Sequence, residues 1–124
     1  MSHVKVHIIS AWLAQAALAL GFAGAAIGKL AHNPHWIERF RAYGYSTHLL
    51  LFIGVLEAVG TVGLLIAPLA GYAAIGLLGI MIGALYTHAV NHETTQLWRP
   101  LLFMALLTVV IYVRKPWPLK GRTP

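Results

Sequence analysis

The chain contains no cysteine. Disulfides, thiol redox relays, thiolate haem ligation and cysteine-held zinc or iron–sulfur sites are therefore all excluded. Acids are nearly as scarce: three, against nine lysines and arginines. Only 10% of the residues are charged, where an ordinary soluble domain carries about 25%. With 59% of its residues hydrophobic, a chain of 124 residues lacks the polar surface needed to cover a water-soluble core. It has room for one domain, and lipid must be the solvent for much of its exterior.

The excess of base gives a formal net charge of +6. In a soluble domain this would raise nucleic acid as a partner. Here the basic residues flank apolar runs, and Arg114, Lys115, Lys120 and Arg122 gather near the C-terminus. That placement suits an anionic membrane surface and argues against nucleic-acid binding.

A helix needs about 20 apolar residues to cross the hydrocarbon layer. Ile8–Leu30 meets that length and exceeds the roughly 7–15 residues of a signal-peptide core, so it reads as a span. Leu49–Val90 is long enough for two crossings, and Pro68 and Gly71 mark a break near its middle. Leu101–Val113 is shorter. Trp98, Arg99 and Pro100 before it, and Arg114, Lys115, Pro116 and Trp117 after it, extend it through interfacial aromatic and snorkelling basic side chains. The expectation is an all-α, four-helix transmembrane bundle in one membrane domain, with spans at about 8–31, 49–67, 71–90 and 97–115. Three spans plus an interfacial helix is the alternative.

Residues 34–43 carry the marks of a separate short helix: Asn33 as N-cap, Pro34 at the first helical position and Gly44 at the stop. Trp36, Ile37, Phe40 and Tyr43 share one face, which predicts an amphipathic helix lying in the interface. Four crossings put both termini on one side with Lys5 and the C-terminal basic residues. The opposite side holds Arg39, Arg41 and Arg99, plus Lys29 if it reaches the surface. This distribution predicts cytoplasmic termini in a bacterial cytoplasmic membrane.

Glycines punctuate the spans. Gly24–Gly28 and Gly79–Gly83 are small-xxx-small pairs that read as close packing within the bundle, and they are compatible with a homo-oligomer. Glu57 stands out, because it lies ~13 Å inside its span at 1.5 Å per residue. An acid at that depth is paired, protonated or functional. Alternating crossings bring Lys29, His32, His48, Thr87, His88, Asn91 and His92 to the same half of the bilayer or its rim. The other half has almost nothing of the kind. A one-sided polar pocket follows, roofed by residues 33–47, with Lys29, Glu57, Tyr86, Thr87 and His88 as candidate ligand- or proton-binding residues. Within it Glu57 reads either as one partner of a structural lock with Lys29, Thr61, His88 or Tyr86, or as a working group.

No catalytic set is evident. The histidines lack the close spacing of a metal site such as H-E-x-x-H, so no metal is expected. A haem between helices needs two facing axial ligands, and His88 alone is placed deep enough. Neither a glycine-rich phosphate loop nor a nucleophile elbow is present.

Three segments together carry a family resemblance. Phe22-Ala23-Gly24-Ala25-Ala26-Ile27-Gly28-Lys29-Leu30 resembles the F-x-G-x-x-K-L end of the first helix of DoxX-like membrane proteins. Ile53-Gly54-Val55-Leu56-Glu57-Ala58-Val59-Gly60 is similar to that family's G-x-x-E-x-x-G core, and Ala84-Leu85-Tyr86-Thr87-His88 to the tail of its third helix. The resemblance covers residues about 12–113. It implies a four-helix membrane bundle and links Lys29, Glu57 and His88 as a set. Relatives include a subunit of an archaeal thiosulfate:quinone oxidoreductase, partners of redox enzymes and vertebrate proteins that assist receptor assembly.

Three functions fit these features. The first is an accessory or binding subunit, not itself an enzyme, whose pocket takes a quinone-like or lipid ligand or a partner helix. The second is a small proton-coupled transporter working through Glu57. The third is the membrane subunit of a quinone-linked oxidoreductase, which would receive its electrons from a redox partner protein. No cofactor is evident in the sequence itself, quinone being the one that the third reading brings in.

Overall fold

The computed structural model describes residues 2–116. Five α-helices follow in order: α1 His3–Leu30, α2 Pro34–Tyr43, α3 Thr47–Leu64, α4 Ala67–Val90 and α5 Trp98–Arg114. A 3-10 turn, Thr94–Gln96, leads into α5. α1, α3, α4 and the stretch Thr94–Arg114 are each long and apolar enough to cross a membrane. At most 33% of the most apolar window of any of them is buried inside the protein, so most of the apolar surface is left for lipid.

Local chemistry sets the ends of these helices. The Ser2 hydroxyl accepts from the Lys5 amide, Asn33 Oδ1 from His35, and the Ser46 hydroxyl from Leu49, each satisfying an amide the helix start leaves free. Gly44 closes α2 in the left-handed region at φ 85°, where a side chain would be strained. The turn between the second and third spans differs from the expected break. α3 stops at Leu64 and α4 starts at Ala67, leaving Leu65 and Ile66 as the connection. Pro68 falls in the first turn of α4, where its missing amide costs nothing. Gly71 lies inside α4, packed against Pro116 and the Arg114 carbonyl, so it serves a helix contact and no turn.

α1 packs on α3 and α5, and α4 on α3 and α5, so the four spans form a closed ring of antiparallel neighbours. The side bearing the helix ends around α2 is called the roof side here, and the other the terminal side. The buried core runs from the terminal-side half (Leu64, Ala70, Ala74, Leu107 and Val110) through the middle of the bundle (Leu18 and Leu77) to Phe22 and Met81, which border the roof-side half. The terminal-side half also corrects an expectation, because it holds a polar cluster. Fully buried Gln15 donates from Nε2 to the Leu64 carbonyl at 2.6 Å and accepts from Arg114 Nε at 2.9 Å. The Leu64 carbonyl is among those a helix end leaves without an internal partner, and Gln15 supplies it. Arg114 in turn lies 5.1 Å over the Trp12 ring. Trp117, Lys120 and Arg122, named above as interface and charge markers, lie outside the described residues.

Candidate functional site in the roof-side half

The roof-side half of the bundle holds a half-open cavity of about 1090 Å³, lined from all four spans and from α2. Lys29 and Glu57 face each other at its edge. Lys29 Nζ is 2.7 Å from Glu57 Oε1, and both side chains are almost fully buried. Glycine makes this meeting geometrically feasible. A methyl group added at Gly54 would come within 3.1 Å of Lys29 Cβ. The end of α1 therefore lies level with Gly54, about two turns below the start of α3 and deeper than rise arithmetic along α1 alone suggests. The lysine stem runs from the Gly54 notch one turn further in to the carboxylate. Gly28 does the same for an aromatic cover. Trp36 packs within 2.8 Å of where its Cβ would be, and the Lys29 ammonium sits 3.9 Å from the Trp36 ring centroid, a cation–π distance.

Above this pair, α2 turns one face into the cavity. Trp36, Arg39, Phe40 and Tyr43 all line it. Arg39 joins this face through its bond to an acid. Arg39 Nη2 donates to Tyr43 Oη at 2.7 Å and to Glu93 Oε2 at 3.1 Å, and Tyr43 donates to Glu93 Oε1 at 2.7 Å. His88 Nδ1 lies 2.8 Å from the same Oε1. The bond from Tyr43, then that from His88, holds the Glu93 carboxyl below its ordinary range. Burial, then the bond to Glu93, pushes the Tyr43 phenol up, which keeps it a donor. The sign for Glu93 is that of a depressed acid. Its stabilising contribution is present above the ordinary carboxyl range and is lost as pH falls through the lowered value.

Of the residues picked from sequence, Lys29, Glu57, Thr87 and His88 line this one cavity. The Thr87 hydroxyl is 2.8 Å from that of Tyr45, and His88 is taken by Glu93. Neither bonds to Glu57, whose carboxylate partner is Lys29; Thr61 reaches only the Glu57 backbone carbonyl. Tyr86 also lines the cavity, but it is 65% exposed. His32, His48 and His92 are exposed and outside the lining. Sequence reasoning passed over Glu93 and Tyr45, and gave Tyr43 only a place on the face of the short helix. The available signal was scarcity: with three acids among nine bases, each carboxylate is a counter-charge that several groups compete for.

The glycines divide into two kinds. A Cβ at Gly60 or Gly63 would collide with Leu77 or Ala73, as close packing requires. A Cβ at Gly76, Gly79 or Gly83 would meet nothing within 4 Å. These three follow one face of α4, are exposed, and line the cavity. The Gly79–Gly83 pair thus leaves an open face on the cavity where close helix packing was expected.

Chemically, the cavity offers a buried ammonium–carboxylate pair, a phenol, an imidazole and aromatic walls from Trp36, Phe40 and Phe103. A smooth apolar face runs beside them. In comparison with known proteins, a sequence model of the DoxX-like family matches residues 13–110, well over half of the chain. No curated protein and no solved structure matches it.

Proposed function

The chain belongs to the DoxX-like family and is an integral membrane protein, and on that footing we propose that it is a binding subunit for a lipid-like amphiphile. The polar head of the ligand, a quinone ring or a lipid headgroup, lies in the roof-side cavity beside Lys29, Tyr43 and His88. Its apolar tail follows the open Gly76–Gly79–Gly83 face of α4. One observation carries this reading: a buried ion pair borders a large cavity instead of being packed over. A pair needed only to join α1 to α3 gains nothing from an adjoining void, since a void forfeits the packing energy of its lining. The volume fits a small-molecule site, for which about 300–1,000 Å³ is usual.

Native mass spectrometry of gently extracted protein tests it. The wild-type chain is expected to retain an amphiphile whose mass distinguishes a quinone from a phospholipid, and Gly79→Leu to lose it. The leucine fills open space, so the fold survives while the open face is blocked. Empty wild-type protein, or equal retention by both chains, would defeat the proposal. The proton-coupled alternative has less support, because Glu57 already bonds to an ammonium at 2.7 Å.

We further assign the termini to the cytoplasmic side. By sequence, Lys5, Arg114, Lys115, Lys120 and Arg122 belong to that side, against Arg39, Arg41 and Arg99 on the other, and the excess of lysine and arginine sets orientation. Reporter fusions at the C-terminus are expected to be active as cytoplasmic reporters and silent as extracytoplasmic ones. The opposite pattern reverses the assignment.

A further inference from the structure

We propose that α2 is a lid over the cavity, latched by Glu93, and that release of this latch admits the ligand from the roof side. Four observations converge on it. First, α2 covers the cavity with Trp36, Arg39, Phe40 and Tyr43, one continuous helical face. Second, no continuous helix couples it to its neighbours. His32, at φ 57°, precedes it and Gly44, at φ 85°, follows it, both in the left-handed region, so rotation at these two turns displaces α2 as a body.

Third, the attachments of α2 differ in kind. Toward α1 and α3 it is held by packing: the Trp36 ring lies on Gly28 and against the Lys29 ammonium, and α2 rests on α3 with Phe40 buried. Toward the segment after α4 it is held by polar bonds that converge on a single side chain. Arg39 and Tyr43 on the lid, and His88 on α4, all bond to the Glu93 carboxylate at 2.7–3.1 Å. The adjoining Tyr45 hydroxyl bonds to Thr87. Fourth, this latch is half-buried, with Arg39 and Glu93 side chains 29% and 28% exposed. Water can therefore replace its bonds as they break, in contrast to the Lys29–Glu57 pair beneath. A network that water can reach opens more readily than a dry one.

The lid concerns access to the site proposed above, but its test needs no ligand, so the two readings fail separately. The chain has no cysteine, and a single introduced thiol is therefore a unique reporter. Ile53→Cys places one in the cavity wall beneath α2, and His48→Cys places one on the exposed rim outside the cavity. Labelling of the protein in lipid nanodiscs with a charged, water-soluble methanethiosulfonate reagent is compared between the two positions.

The cavity thiol is expected to react slowly in the otherwise wild-type chain. Adding Glu93→Ala should accelerate it about tenfold or more relative to the rim thiol, because several charge-assisted bonds are lost together. Adding Tyr43→Phe, which removes the phenol's bonds and leaves the Arg39–Glu93 pair, should accelerate it less. If Glu93→Ala fails to fold, the Tyr43→Phe comparison decides alone. Unchanged cavity labelling in the folded variants, or cavity labelling as fast as rim labelling before either change, overturns the lid.

Discussion

Lys29→Met is expected to destabilise the folded bundle by about 3–5 kcal/mol, the usual cost of leaving one member of a buried ion pair without its partner. Methionine keeps the length of the stem, so the packing against Gly54 survives and the loss is electrostatic. Glu57 would remain 2% exposed in a segment where lipid offers no replacement for the ammonium. Reversible unfolding in mixed micelles measures the effect. The double variant Lys29→Met with Glu57→Leu should recover most of the loss, since an apolar pair of similar volume often matches or exceeds a buried ion pair in stability. A single variant within about 1 kcal/mol of wild type would be the behaviour of a surface pair and would refute the burial argument. The double variant also separates two roles. If it folds and still retains the amphiphile, the pair is a lock; if it folds and comes out empty, the pair holds the ligand.

The second large effect is a contrast between two glycines of similar sequence context. Gly60→Ala should cost about 1–3 kcal/mol through overpacking, because the new methyl would sit 2.6–2.9 Å from three carbons of Leu77. Leu77 is 1% exposed and has no room to retreat. Gly79→Ala should be neutral or stabilising by up to about 1 kcal/mol, the helix-propensity difference between the two residues. Nothing lies within 4 Å of its new methyl. Thermal unfolding of the two variants in one detergent is sufficient. Equal effects would mean that the division between packed and open glycines is not real.

That contrast also marks how far the sequence could be read. The spans, the short helix over 34–43 and the Asn33 and Gly44 caps were legible, because hydropathy and backbone preference act within a few residues. The Gly54–Glu57 spacing was legible too, once the crossings alternate. What Gly79 faces was not legible, since a small residue permits close approach equally to a helix, a ligand or nothing. The Gln15–Arg114 bond joins residues 99 apart in the chain, and Tyr43 reaches Glu93 across 50. No local pattern announces such partners. The Leu65–Ile66 turn escaped for another reason. A proline near a break fits the first turn of the next helix as well as the turn itself, and hydropathy does not distinguish them.

The division of the bundle into a solid half and a hollow one has a consequence for size. Directly below Glu57 the gap closes, with Gly60 clamped on Leu77. Measured along α3, Glu57 lies about 15 Å from the first helical residue at 1.5 Å per residue, half of a hydrocarbon layer about 30 Å thick. For the amphiphile proposed above, the buried pair would act as a depth gauge. It would set how far a rigid head descends between the helices, and any longer portion of the molecule would bend outward along α4 into the surrounding lipid. Selection among amphiphiles would then fall on the stiff end and not on the tail, so homologues of one compound that differ only in tail length should compete as near equals.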